Sequence, residues 1–301
     1  MLELPPHPPL DNKAELDAQF NNRAMVPEHV ELYAQWEPMC AEVFDDYPAR
    51  RDIAYGPTPR QTLDIVLPRD ADPGVRACPA LIYIHGGYWM SRTKGDQTFL
   101  ARAYADAGIA FVLVEYELMP NVRMADIVDQ CWRAIGWVSA NAGSLGIDPN
   151  QLYVSGHSAG GHLTAVMAAT DWQATPGLER VKLAGAVAIS GIYDLRAMAG
   201  CYLQDTLGLT DEEVATWSPQ FFERAAEIPM LVVPGGAESK AFHHQSRNLV
   251  NTWNAKGGRC TYLEPEGRNH FTILSAFSDP AHDFCKAVKD LIIAGVQAGT
   301  R

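Results

Sequence analysis

Gly156-His157-Ser158-Ala159-Gly160 sets a serine between two glycines. It directly follows an apolar run at Leu152–Ser155 and precedes a helical pattern over Ala159–Thr170. A G-x-S-x-G turn joining a strand to a helix lifts the serine Oγ above the sheet, at the positive end of the helix dipole. The flanking glycines are needed because the serine takes a strained backbone and neighbouring chain passes close. That is where a nucleophile belongs, and the context on both sides outweighs a chance Gly/Ser turn.

A second stretch, His85-Gly86-Gly87-Tyr88-Trp89, follows the apolar run Ala80–Ile84, one strand–helix–strand unit upstream. Acyl transfer needs N–H groups aimed at a developing oxyanion, each worth roughly 3 kcal/mol. A Gly-Gly turn exposes such donors because no Cβ blocks approach. The expected oxyanion hole is Gly86, Gly87 and Tyr88, completed by the amide of Ala159, the residue after the serine.

A serine needs a base, and the base needs an acid to hold it. Nine histidines compete. His7 and His29 lie in the N-terminal segment, His162 and the adjacent His243 and His244 lie on helices, and His282 falls in the last helix. His85 and His157 sit inside the two motifs, where orienting loops suits them better than moving protons. His270, in Glu266-Gly267-Arg268-Asn269-His270-Phe271, follows the last strand, where a loop can reach back over Ser158. In this chain order the acid comes between nucleophile and base. Glu238, in Val233-Pro234-Gly235-Gly236-Ala237-Glu238, follows a strand at Met230–Val233 and is the favoured acid. Asp194, after the preceding strand, is the rival and otherwise caps the next helix.

The elements that must position these residues alternate. Strands are expected at Thr62–Leu67, Ala80–His85, Ile109–Tyr116, Leu152–Ser155, Ala184–Ser190, Met230–Val233 and Thr261–Leu263. Helices are expected near Glu28–Phe44, Thr98–Ala107, Met124–Asn141, Ala159–Thr170, Ala241–Ala255 and Ala281–Ala298, with Gly108, Gly143 and Gly257 as C-caps. Apolar strands bracketed by amphipathic helices predict an α/β fold with a mostly parallel sheet covered on both faces. Residues 1–50 read as an N-terminal helical extension packing on the core, and 51–301 as one catalytic domain. Within it, 191–229 breaks the rhythm, and its apolar content predicts a small cap over the site.

At 301 residues the chain can bury a large core without staples. Acidic residues outnumber basic ones by 36 to 24, a net charge of −12 that repels phosphate backbones and anionic lipid. Neither nucleic acid nor a membrane is an expected partner, and no apolar run approaches the ~18 residues of a span. The N-terminus lacks a basic and apolar leader pattern, and six scattered cysteines without a CxxC pair read as free thiols, so a cytoplasmic location is expected. Neither HExxH nor a nucleotide-cradling glycine motif occurs, so no metal and no cofactor are expected.

With HGGYW, GHSAGG, PGGAES and NHF in this order, residues 50–301 resemble the α/β-hydrolase superfamily. HGGYW at 85–89, the stretch Tyr116–Val138, Ser190-Gly191-Ile192-Tyr193-Asp194-Leu195-Arg196 and Phe20-Asn21-Asn22-Arg23 further resemble the arylformamidase (kynurenine formamidase) and related esterase group. The resemblance implies a Ser158–Glu238–His270 triad, with one departure: the group usually carries Asp where this chain has Glu238. It also implies a small ester or amide substrate, formyl on an aryl amine as in N-formylkynurenine, with a carboxylesterase for short-chain or aryl esters as the alternative. Trp89 and Tyr193 are the expected substrate-binding aromatics. A homodimer is left open, and a non-catalytic binding protein on the same fold is the remote alternative.

Overall fold

The computed structural model describes residues 1–70, 77–223 and 225–299. Residue 224 of the expected cap, and positions 71–76 and 300–301 of the expected catalytic domain, lie outside the described residues. Eight strands, β1 (Ala49–Ala54), β2 (Thr62–Val66), β3 (Cys78–Ile84), β4 (Ala110–Val114), β5 (Ile147–His157), β6 (Leu183–Ile189), β7 (Pro229–Val233) and β8 (Arg259–Tyr262), form one sheet. Their order is β1-β2-β4-β3-β5-β6-β7-β8. The pairs β1/β2 and β2/β4 are antiparallel, and every pair from β4/β3 to β7/β8 is parallel. This is the α/β-hydrolase fold.

The side-chain alternation of each strand sorts the core into two layers. Ala80, Ile82 and Ile84 of β3 enter one, beneath helices Met124–Leu145, Ala159–Ala169 and Lys240–Ala255. Leu81 and Tyr83 enter the other, under His29–Asp46, Thr272–Ser278 and Asp283–Gly299. In that second layer Trp36 of the N-terminal helix stacks on Phe99 at 4.9 Å between ring centroids. β1 was not expected, and its Arg50, Arg51 and Asp52 face solvent. A charged edge strand protects the sheet from mispairing but carries no apolar pattern to read.

Two expectations need correcting. Helix Met124–Leu145 runs through Gly143 and ends at Gly146, whose φ of 72° supplies the left-handed cap. Residues 191–223 and 225–229 supply none of the residues that line the cleft around Ser158. They fold into short helices at Arg196–Gly200, Gln204–Leu207 and Asp211–Thr216. Ile192, Leu195, Met198, Leu203 and Leu207 are buried in the first core layer, so the apolar content that suggested a cap is spent on packing.

The N-terminal segment packs against the elements that follow β6 and β7. The Ser239 hydroxyl donates to the carbonyl of Gln19 at 2.7 Å, and the Tyr202 amide donates to Asp17 at 2.6 Å. Asn251 brackets Leu2 with two hydrogen bonds, to its amide and its carbonyl.

Candidate active site

The glycines around Ser158 are dictated by close approach. A Cβ on Gly160 would stand 1.9 Å from the carbonyl oxygen of Ile84, and one on Gly156 2.4 Å from that of Gly160. Helix Ala159–Ala169 therefore seats directly against β3. Ser158, between β5 and that helix, has φ 58° and ψ −117°, a conformation costing on the order of 1–3 kcal/mol in a non-glycine residue. Its amide donates to Ile189 of β6 at 2.9 Å, which helps hold the turn.

Across the cleft, Gly87, Tyr88 and Trp89 all have positive φ, at 112°, 54° and 57°. The turn is closed by Met90 N–H and Ser91 Oγ–H, both donating to the Gly87 carbonyl. Gly86 has no room for a side chain, since a Cβ there would meet the His157 carbonyl at 2.7 Å and Ser158 Cβ at 3.1 Å. The amides of Gly87 and Tyr88 donate to no acceptor among the described residues, and Ala159 is the first residue of its helix, where N–H groups lack intrahelical partners.

A buried polar network sets this loop from behind. The His85 ring stacks on Tyr116 at 4.3 Å, and its two nitrogens face the Gly86 carbonyl at 2.7 Å and Glu115 Oε1 at 3.2 Å. Glu115 also accepts from Arg60 and from the Lys94 amide. Burial alone would raise the Glu115 carboxyl; His85, the Lys94 amide and Arg60 outweigh it and hold the group below the usual carboxylate range.

His270 Nδ1 hydrogen-bonds Glu238 Oε1. The other carboxylate oxygen accepts from the Gly235 amide at 2.8 Å, and the Glu238 side chain is fully buried. The two loops are stitched together: Gly236 N–H donates to Pro265 and Ala237 N–H to Arg268, both at 2.9 Å. Gly235 must be glycine here, because a Cβ would lie 2.2 Å from the Arg268 carbonyl. Asn269 Oδ1 accepts from the amides of Phe271 and Thr272 and so fixes where the next helix begins. His270 Nε2 has no partner among the described residues and shares a cleft with Ser158.

Asp194 is occupied elsewhere, paired with Arg196 at 2.6 Å. Trp89 and Tyr193, the expected substrate aromatics, are each 0% exposed, and neither lines the cleft. Trp89 Nε1–H donates to His162 Nδ1 at 3.3 Å, and His162 Nε2–H in turn donates to the Trp217 carbonyl at 2.7 Å. Trp89 thus bolts the Gly-Gly loop to the core. Burial pushes the His162 ring down to about 4.

The cleft measures about 350 Å³ including its open mouth. Besides the motif residues it is lined by Arg23, Tyr33, Arg92, Gln97 and Phe271. None of these five was expected. Phe271 adjoins His270 and could have been found by proximity; the others come from segments whose place over the site no local pattern announces. A roomier depression bounded by Trp132, Val166, Trp217 and Phe222 contains no histidine and no motif residue. Among the described residues no group of three or more His, Cys, Asp or Glu could hold a metal ion, and no helix is long and apolar enough to cross a membrane.

A family model described as BD-FAE matches residues 63–253. A kynurenine formamidase from Danio rerio is 30% identical over 246 residues, covering 80% of this chain and 81% of the relative. An isoprenylcysteine alpha-carbonyl methylesterase from Arabidopsis thaliana is 25% identical over 272 residues, covering 83% of this chain and 62% of the relative. Among solved structures, a protein from Silicibacter sp. provisionally assigned as a thioesterase superposes with a TM-score of 0.79 at 26% identity, covering 93% of this chain and 99% of that one.

Proposed function

The chain belongs to the BD-FAE family and is an α/β hydrolase of the formamidase and esterase group, and on that premise we propose that it is a metal-independent serine hydrolase of arylformamidase type, converting N-formylkynurenine to kynurenine and formate. The observation that carries the reading is the buried Glu238–His270 hydrogen bond beside a cleft containing both Ser158 and the unpartnered amides of Gly87 and Tyr88. Similarity to a kynurenine formamidase over most of both chains supports the choice of bond.

In this mechanism Ser158 Oγ attacks the formyl carbon while His270 Nε2 takes its proton. Glu238 holds the ring in the tautomer that leaves Nε2 free and stabilises the imidazolium that forms. The amides of Gly87, Tyr88 and Ala159 receive the oxyanion, with Gly86 shaping the approach. The tetrahedral intermediate collapses as His270 gives its proton to the departing aryl nitrogen. Water, deprotonated by His270, then attacks the formyl-serine, and formate leaves as Ser158 regains its proton.

A second reading, a carboxylesterase for short-chain or aryl esters, is favoured by the likeness to a methylesterase. The comparison of kcat/KM on N-formylkynurenine and p-nitrophenyl acetate, with Ser158→Ala as the blank, separates them. A formamide rate at or above the ester rate supports the formamidase, since the amide is the harder bond. Ester turnover with a negligible formamide rate moves the protein to the esterases. Ser158→Ala is expected to lose about 10⁴-fold or more in kcat, and near-wild-type turnover in that variant would sink both readings.

A further inference from the structure

The chain carries an excess of acid, yet the residues lining the catalytic cleft include two arginines, Arg23 and Arg92, and no carboxylate. Such a local reversal of sign inside an acidic protein is what an anion-binding site requires.

Both guanidinium groups are held in place. Arg23 follows Asn22, whose amide donates to Tyr88 Oη at 3.4 Å, while the same hydroxyl donates to the Phe20 carbonyl at 2.8 Å. Tyr88 of the Gly-Gly loop thereby pins the segment that carries Arg23. The Arg23 guanidinium lies 5.9 Å from the Tyr88 ring centroid, donates to Ser91 Oγ at 3.1 Å, and has no carboxylate partner among the described residues.

Arg92 has a φ of 78°, a strained conformation for a residue with a side chain. Its carbonyl is anchored by Arg60 at 2.9 Å, and its guanidinium sits 3.5 Å above the Tyr33 ring. Its nearest carboxylate, Asp96, is 4.0 Å away and already accepts from the Thr93 amide. Tyr33 meets Phe271 edge-on at 6.1 Å, and Phe271 adjoins His270. Burial raises the Tyr33 hydroxyl; Arg92 lowers it, Asp96 adds to the rise, and Arg23 lowers it in turn.

We propose that Arg23 and Arg92 form a carboxylate-binding subsite, so that the preferred substrate carries a carboxylate on the group that leaves. The subsite rests on the reading of Ser158 as an acyl-transfer nucleophile. A chain of contacts ties it to His270, which protonates the departing atom: Arg92 stacks on Tyr33, Tyr33 meets Phe271, and the Phe271 ring meets that of His270 edge-on at 5.5 Å. A guanidinium fork recognises a planar carboxylate through paired, charge-assisted hydrogen bonds.

The test uses two acetyl esters that differ only in that charge, 3-acetoxybenzoate and 3-acetoxybenzamide. Wild type is expected to favour the carboxylate about tenfold or more in kcat/KM at low salt, with the preference shrinking as salt rises. Arg23→Gln and Arg92→Gln should each cut the carboxylate-to-amide ratio about tenfold, Arg23→Glu should invert it, and Arg23→Lys should keep part of it. A purely structural role for these arginines would lower both rates together and leave the ratio unchanged, which would overturn the subsite, as would a wild-type ratio near one. Those outcomes leave Ser158 chemistry standing. Failure to hydrolyse either ester, together with no labelling of Ser158 by a fluorophosphonate, would overturn the hydrolase reading and the subsite with it.

Discussion

His157 donates its Nε2–H to the main-chain carbonyl of His270 at 2.7 Å. The residue preceding the proposed nucleophile therefore grips the backbone of the proposed base, and the two rings lie 4.6 Å apart. Burial first, and then the charge on His270, push the His157 ring well below its usual range. A neutral His157 is a fixed donor that adds no second positive charge beside the imidazolium formed during turnover.

Replacing His157 with Leu leaves a buried carbonyl without its donor, at a cost of about 1–3 kcal/mol. The expected result is a lower Tm and a kcat reduced about 10–100-fold with KM little changed, because misplacing His270 affects the transition state more than substrate binding. His157→Gln, which keeps a donor, should recover part of the loss. A kcat unchanged in the face of a lower Tm would reduce His157 to a packing residue.

Glu238 and Asp194 were rivals for the acid, and their surroundings separate them. Glu238→Ala is expected to lower kcat about 10³–10⁴-fold, and Glu238→Asp less, since the shorter arm must give up either His270 or the Gly235 amide. Asp194→Asn removes an ion pair with Arg196 that is half open to solvent on the arginine side, so turnover should stay near wild type. Steady-state rates of the three variants decide the assignment, and the opposite ranking would restore Asp194.

Acid should destabilise the protein before it titrates ordinary carboxylates. His157 and His162 are both depressed in the folded state, His162 to about 4. Their contribution is fully present above the unfolded histidine range near 6.5 and is lost as pH falls, because the unfolded chain then takes up protons that the folded chain does not. The His162 ring contributes at most about 1.4 kcal/mol per pH unit in that window, or about 1.5 kcal/mol between pH 6.5 and 5, and His157 acts in the same direction. Urea midpoints at pH 7.5, 6 and 5 should fall progressively, and His162→Asn should flatten the dependence by roughly one proton. Midpoints that stay level across this range would contradict the buried neutral rings.

The legible parts of this molecule are those with a local signature. Gly156, Ser158 and Gly160 mark a close-packed strand-to-helix turn, and the structure supplies the carbonyl oxygens of Ile84 and Gly160 that would collide with any Cβ. The parallel strands were readable because both their faces are buried, leaving continuous apolar runs. β1 was hidden because only a polar edge strand could stand there.

Trp89 and Tyr193 show the limit of composition. An aromatic beside a motif has the same sequence signature whether it faces substrate or core, and both face core. Arg23 and Tyr33 show the converse, since polar residues early in the chain give no sign of lying over a cleft formed far downstream. Residue order by itself determined the parallel sheet, the turn around Ser158 and the succession of Glu238 and His270, because local sterics and periodicity are written into neighbouring residues. Only the tertiary structure decided that Glu238 rather than Asp194 reaches His270, that His157 grips it, and that two arginines line the cleft. Those contacts depend on where separate loops meet, through hydrogen bonds such as Ala237 N–H to the Arg268 carbonyl, which exist only once the sheet has set the distance between them.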